Sequence, residues 1–149
     1  MFQPINLAKS LETPEQVRKW KATDMDMSNN FRGLTLREFE RLICELFERM
    51  GYDAELTLYV SDYGADIIAK KDEDIVVIEV KKFQKKLVGS PEIQKLLGSM
   101  FKYKANKAIF VTTSEFTEQA RELERTAPIE LWNRSKLNKM IEKYFLDED

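Results

Sequence analysis

The 149-residue chain carries a formal charge of −2, with 43% apolar and 34% charged residues, which fits one globular unit with its own core and excludes a disordered chain. Bulk charge gives no attraction to phosphate, so any contact with nucleic acid must come from a local basic patch. The complete lack of histidine excludes Ser-His-Asp and Cys-His catalysis and any histidine-ligated zinc, leaving carboxylates, lysines, hydroxyls and an oxygen-bound metal as the available chemistry.

The chain opens MFQPINLAKSLE, with no basic region leading into an apolar one, so no signal peptide is expected. Thr13, Pro14 and Gln16 form a helix start, with Thr13 as N-cap, Pro14 at the first helical position and Gln16 closing a capping box. A short helix to about Ala22 and a turn-rich DMDMSNNFRG follow, so residues 1–33 are expected as a helical arm and linker before the main unit at 34–146. The arm is too small for a winged-helix domain and is expected to pack on the core or on a second subunit.

Thr35 and Glu38 make a second capping box. Apolar residues at 39, 42, 43, 46, 47 and 50 then follow helical spacing, and Gly51 ends the helix. Cys44, the single cysteine, falls on the apolar side of this helix as a small core residue. With no disulfide possible and no run near the roughly 18 apolar residues of a membrane span, a reducing intracellular (cytoplasmic) setting without membrane contact is expected.

Strands are expected over Tyr52–Val60, Ala65–Lys70 and Ile75–Val80, with turns at Ser61–Gly64 and Lys71–Asp74. The third, IVVIEV, is nearly all β-branched and should be central. A basic loop, Lys81–Gly89, leads to a helix from Ser90 to about Lys104, then to a buried strand over Lys107–Thr113. Thr113 or Ser114 is expected to cap a helix that turns Ala120 and Leu123 inward, with phosphate contact by Thr112, Thr113 or Ser114 the lesser alternative. A short strand at Ile129–Trp132, an amphipathic helix over Arg134–Phe145 and a frayed LDED tail complete the chain. The order α-β-β-β-α-β-α-β-α predicts an α/β fold, a mixed sheet flanked by helices.

A hairpin between the second and third strands brings Asp66 toward Glu79, 13 residues later. Glu79 and Lys81 are two apart on one strand and share a face. Asp66, Glu79 and a backbone carbonyl, assigned to Val80, offer hard oxygen ligands for Mg²⁺, for which Mn²⁺ can substitute. Lys81 can orient or deprotonate an attacking water and stabilise developing charge. By itself Glu-x-Lys arises easily in a chain this charged, as a surface pair at a strand end. The buried strand beneath Glu79 and the aspartate across the hairpin separate this case from that one. Lys82, Lys85 and Lys86 follow the strand, either as a solvated loop or as contacts to DNA phosphates. Asp62 is expected in the turn or behind the ligands.

The phrases FERLICELFERMGY, D-x-G-x-D at Asp62–Asp66, VVIEVKKF, the helix end LLGS, AIFVTTSEFTEQA and IELWNRSKL fall within a stretch from about Leu36 to Ile141. On these residues the chain resembles the Mrr-type restriction endonuclease domain of the PD-(D/E)xK nuclease superfamily. The resemblance implies a restriction-endonuclease-like fold and a Mg²⁺-dependent endodeoxyribonuclease, with Asp66 and Glu79 as metal ligands and Lys81 as the catalytic lysine. It also implies a role for Glu40, eleven residues before Gly51. The bland reading of Glu40 is an exposed residue paired with Arg37. Gln94 matches a polar position on the second helix that approaches the active site in related nucleases; the alternative is a solvent-facing glutamine. Many members carry a separate DNA-binding domain, so here DNA affinity is expected from a local patch, a homodimer or a larger DNA-targeting partner. Two other functions compete: a structure-selective nuclease like a junction resolvase, and a catalytically idle nuclease fold serving as a DNA-binding or assembly module. A purely structural domain with incidental salt bridges is the plainest reading.

Overall fold

The computed structural model describes residues 26–57 and 64–146. The expected helix start at Thr13, the turn residues Ser61, Asp62 and Tyr63, and the tail after Leu146 lie outside them.

Helix α1 (Leu36–Arg49) begins as its sequence dictates: the Glu38 N–H donates to Thr35 Oγ1 (3.1 Å) and the Thr35 N–H to Glu38 Oε1 (2.8 Å). It ends at Met50, followed by Gly51 at φ +103°, a conformation that favours glycine. Strand β2 (Ile67–Lys71) pairs antiparallel with both β1 (Asp53–Leu56) and β3 (Asp74–Lys81). Helix α2 (Ser90–Tyr103) leads to β4 (Lys107–Thr112), and α3 (Glu118–Thr126) to β5 (Ile129–Trp132); β3, β4 and β5 are parallel. Helix α4 (Arg134–Ile141) closes the fold. The sheet order β1-β2-β3-β4-β5 makes β3 central, as its β-branched run requires.

Alternation along the strands divides the core in two. Val76, Ile78 and Val80 of β3 face α1 and α4, together with Phe39, Phe47, Trp132 and Leu137. Val77 faces α2 and α3, together with Ile93, Leu96, Phe110 and Ala120. Glu79 and Lys81 therefore continue the Val77 face, toward α2. No helix among the described residues is long and apolar enough to cross a membrane.

Several boundaries shift for identifiable reasons. The hairpin turn is only Asp72-Glu73, with Asp72 at φ +55°, because Lys71 and Asp74 still pair across the strands. Helix α3 is capped by Thr117, whose side chain accepts from the Ala120 N–H, and not by Thr113 or Ser114. The intervening residues have other partners: Thr113 Oγ1 accepts from the Phe83 N–H (3.0 Å) and donates to the Phe83 carbonyl (2.8 Å), and Val88 bridges Phe116. The last helix is regular only to Ile141 and widens into a π turn over Glu142–Leu146. There the Arg49 guanidinium lies 4.2 Å from the Phe145 ring centre and donates to the Tyr144 carbonyl (3.1 Å).

The turn-rich stretch before α1 does more than connect. Phe31 is fully buried against Phe39, with ring centres 5.1 Å apart, although its own φ is +64°. A bulky residue holds this left-handed conformation only where its surroundings enforce it. Here the Asn30 amide donates to the Thr113 carbonyl (3.1 Å), and the Lys82 ammonium donates to the carbonyls of Phe31 and Leu34.

Candidate active site

The site forms where β2 and β3 part. Regular pairing ends at Ile67 opposite Ile78. Asp66 still donates its N–H to the Ile78 carbonyl (2.8 Å), but its carboxylate Oδ2 accepts from the Val80 N–H (2.8 Å). The Ala65 carbonyl is taken by Thr57 Oγ1 (2.8 Å), and the Asp66 carbonyl by the Thr57 N–H (2.9 Å). Ala65 and Asp66, expected to begin the strand, thus precede it, and this departure from the ladder turns the Asp66 carboxylate onto the edge of β3.

A cleft of about 280 Å³ opens at this point, lined by Arg37 and Glu40 of α1, Thr57, Gly64, Ala65, Asp66, Glu79, Lys81 and Lys95 of α2. The structure brings together Asp66, Glu79, Lys81 and Glu40. Glu79 is only 7% exposed; its Oε2 lies 3.6 Å from Lys81 Nζ, and its Oε1 is buried with no hydrogen-bond partner. Such a carboxylate oxygen is costly unless something electropositive meets it. Glu40 is also 7% exposed and accepts from Arg37 (3.0 Å). The pairing with Arg37 and the approach to the site are therefore both real.

Burial sets the electrostatics. Desolvation, followed by the charge of Glu40, pushes Asp66 up to about 7, against the opposing Val80 N–H, Lys81 and Arg37. Desolvation and then the charge of Asp66 push Glu79 up to about 7, against Lys81 and Lys95. Burial also raises Glu40, with Arg37 opposing it. Three carboxylates crowded into a low-dielectric cleft resist ionising together, and a divalent cation relieves that conflict.

Among the described residues no three His, Cys, Asp or Glu side chains converge closely enough to hold a metal by themselves. A cation there would also need main-chain and water oxygens. Within a strand the N–H and C=O of one residue point toward the same neighbour. The Val80 carbonyl therefore faces the Asp66 edge, whereas the Lys81 carbonyl accepts from the Thr113 N–H on the β4 side (3.2 Å). The orphaned Glu79 oxygen, the Asp66 carboxylate and the Val80 carbonyl make an all-oxygen donor set that fits Mg²⁺ or Mn²⁺.

The other expected residues fall elsewhere. Lys82 donates its ammonium to the Phe31 and Leu34 carbonyls, so it ties the segment before α1 to the end of β3 instead of facing solvent as a phosphate contact would. Replacing it with methionine is expected to lower stability by about 1–3 kcal/mol, read from the denaturant midpoint, since two buried-side carbonyls lose a charged donor. Lys85 and Lys86 are exposed on the loop before α2, with Lys86 5.3 Å from the Phe83 ring centre. Gln94 is exposed and outside the cleft lining; its neighbour Lys95 lines it instead. Arg37, one turn before Glu40, carries a local signal as its ion-pair partner, whereas Thr57 and Lys95 belong to no sequence motif.

A family model for restriction endonucleases, Mrr_cat, matches residues 31–141. The chain belongs to this family. The Mrr_cat match covers every lining residue just described. A curated relative, the type IV methyl-directed restriction enzyme EcoKMrr of Escherichia coli K12, is 30% identical over 105 residues, 65% of this chain and 34% of the relative. This chain thus spans about a third of that relative's length. Two solved structures share the fold. The DNA modification-dependent restriction endonuclease AspBHI aligns with a TM-score of 0.63 at 17% identity, over 89% of this chain and 38% of that one. The MspJI restriction endonuclease, in complex with a 27-mer oligonucleotide, aligns with a TM-score of 0.58 at 15% identity, over 87% and 34%. The fold is therefore restriction-endonuclease-like, a mixed five-stranded sheet flanked by helices, and the chain carries a nuclease-family domain homologous to Mrr.

Proposed function

We propose that the cleft hydrolyses phosphodiester bonds in DNA as a metal-dependent endodeoxyribonuclease, using Mg²⁺ with Mn²⁺ as a substitute. The observation that carries this reading is the buried, unpartnered Glu79 oxygen beside Asp66 and Lys81 at one sheet end. Asp66, Glu79 and the Val80 carbonyl would hold the cation. When bound, a divalent cation supplies Lewis-acid stabilisation of a phosphate oxygen and a lowered pKa for water. Lys81, held near Glu79, orients or deprotonates the attacking water and stabilises charge on the phosphate. Asp66 is fixed by the Val80 N–H, so its free oxygen keeps one direction. Glu40 acts on the field at Asp66 and fixes Arg37 at the α1 wall. Exposed Lys85 and Lys86 extend the cationic surface toward the DNA backbone, and a second copy or a DNA-targeting partner supplies further affinity.

The test is a cleavage panel on supercoiled plasmid, with and without methylation, and on a four-way junction, in Mg²⁺, Mn²⁺ or EDTA. Nicking or cutting is expected only with the metal. A protein that leaves all three substrates intact in either metal does not have this activity. Cutting confined to the junction would favour the structure-selective reading.

A further inference from the structure

Lys95 belongs to no motif and was reached only through the fold. It is exposed on α2, lines the cleft opposite the α1 wall, and its charge acts on Glu79. The other two cations of the cleft have carboxylate partners: Arg37 with Glu40 at 3.0 Å and Lys81 with Glu79 at 3.6 Å. Among the described residues the Lys95 ammonium has no hydrogen bond or ion pair, so it is available to a bound anion.

Its stem has a close neighbour. Gly64, at φ +88°, lies directly against it: a Cβ there would fall 3.2 Å from Lys95 Cγ and 3.2 Å from the Lys95 carbonyl oxygen. A glycine at this point permits the loop before Asp66 to lie against α2, with the Lys95 side chain packed across it. A positioned lysine loses less side-chain entropy on binding than a freely moving one.

Charge sets the class of ligand. Arg37, Lys81 and Lys95 share the cleft with the carboxyl groups of Glu40, Asp66 and Glu79. A divalent cation on Asp66 and Glu79 tips the cleft toward attraction of an anion. The cleft lining is mostly polar and charged, which suits an ionic group over an apolar one. Phosphate and sugar oxygens take at least half of the hydrogen bonds between protein and DNA, and lysine is among their usual donors.

We propose that Lys95 is a DNA phosphate contact of this site, gripping the backbone of the strand being cut independently of its sequence. The proposal rests on the DNA-cleaving reading above. The experiment compares the wild type with Lys95→Gln and Lys95→Arg. Binding to a random-sequence duplex is followed by fluorescence anisotropy in Ca²⁺ over a salt series, cleavage is followed in Mg²⁺, and Mn²⁺ binding is measured by calorimetry. Lys95→Gln should lower the slope of log K against log salt by about one unit and cut kcat/KM roughly tenfold on every sequence, with Mn²⁺ affinity retained. Lys95→Arg should restore most of both. An unchanged salt slope with intact cleavage would overturn the Lys95 assignment while leaving the nuclease reading in place. A changed Mn²⁺ affinity with an unchanged slope would overturn it too, making Lys95 a support for Glu79. If the wild type neither binds nor cuts DNA, the nuclease reading itself fails, and this assignment with it.

Discussion

Replacing Asp66, Glu79 or Lys81 with alanine should reduce DNA cleavage by roughly a thousandfold or more each, with the fold retained. Each removes a different part of one unit. Asp66→Ala removes the carboxylate anchored by the Val80 N–H, and Glu79→Ala removes the buried oxygen that has no protein partner. Both should also abolish tight Mn²⁺ binding in calorimetry. Lys81→Ala should leave metal binding nearly intact and still lose cleavage, because in the proposed mechanism its ammonium acts on water and phosphate and not on the cation. Pairwise combinations should cost little more than single changes, as expected for groups that act together. Glu40→Gln should fall between, at about 10- to 100-fold, since Glu40 acts through Arg37 and through the charge at Asp66. Initial rates of plasmid nicking, with Mn²⁺ titrations alongside, provide the measurement. Variants that cut at wild-type rates would place the activity elsewhere.

The second large effect is on stability and runs opposite to activity. The folded-state pKa values of Asp66 and Glu79, both about 7, lie above their unfolded values of 3.8 and 4.5. The folded protein therefore binds more protons than the unfolded chain between about pH 4 and 7. Their contribution is most favourable below about pH 4 and declines as pH rises to 7, because folding then buries charge. At pH 8 the metal-free protein should be stabilised by Asp66→Asn, which keeps an acceptor for the Val80 N–H but removes the charge. A gain on the order of 2–3 kcal/mol is expected, less than the full shift implies because Asp66 and Glu79 raise each other. The difference should shrink as pH is lowered toward 4. Saturating Mg²⁺ should also narrow it, since the cation stabilises only the protein that binds it. Chemical denaturation at pH 5 and pH 8, with EDTA or Mg²⁺, checks the sign. A variant less stable than wild type at pH 8 in EDTA would contradict the electrostatic account. A functional site held at a cost in stability is the general pattern this prediction expresses.

Much of the fold was legible because its causes are local. The capping box of Thr35 and Glu38 and the helical spacing from Phe39 to Met50 involve residues no more than four apart, so α1 could be drawn from the sequence. The β-branched run of β3 marked a strand covered on both faces, and its period of two already placed Glu79 and Lys81 on one side. The hairpin brings Asp66 level with Glu79, while the departure from the ladder that turns its carboxylate onto β3 depends on Thr57. These facts suffice to outline a nuclease-type site.

What the sequence could not decide depends on contacts between distant segments. Lys82 reads like Lys85 and Lys86 until the chain some 50 residues earlier presents the Phe31 and Leu34 carbonyls to it. Gln94 and Lys95 are adjacent, and which one enters the cleft is set by the rotation of α2 on the sheet, which no local pattern encodes. Thr113 and Thr117 are both good caps; the choice between them follows from the tie of Thr113 to Phe83 and the bridge of Val88 to Phe116. The sequence by itself therefore determined the elements, the central strand and the convergence of Asp66, Glu79 and Lys81 at one sheet end, through short-range periodicity and hydrogen bonding. Only the tertiary structure decided which cations face that chemistry, because the rotation of a helix and the partner of a long lysine are fixed by packing between elements far apart in the chain.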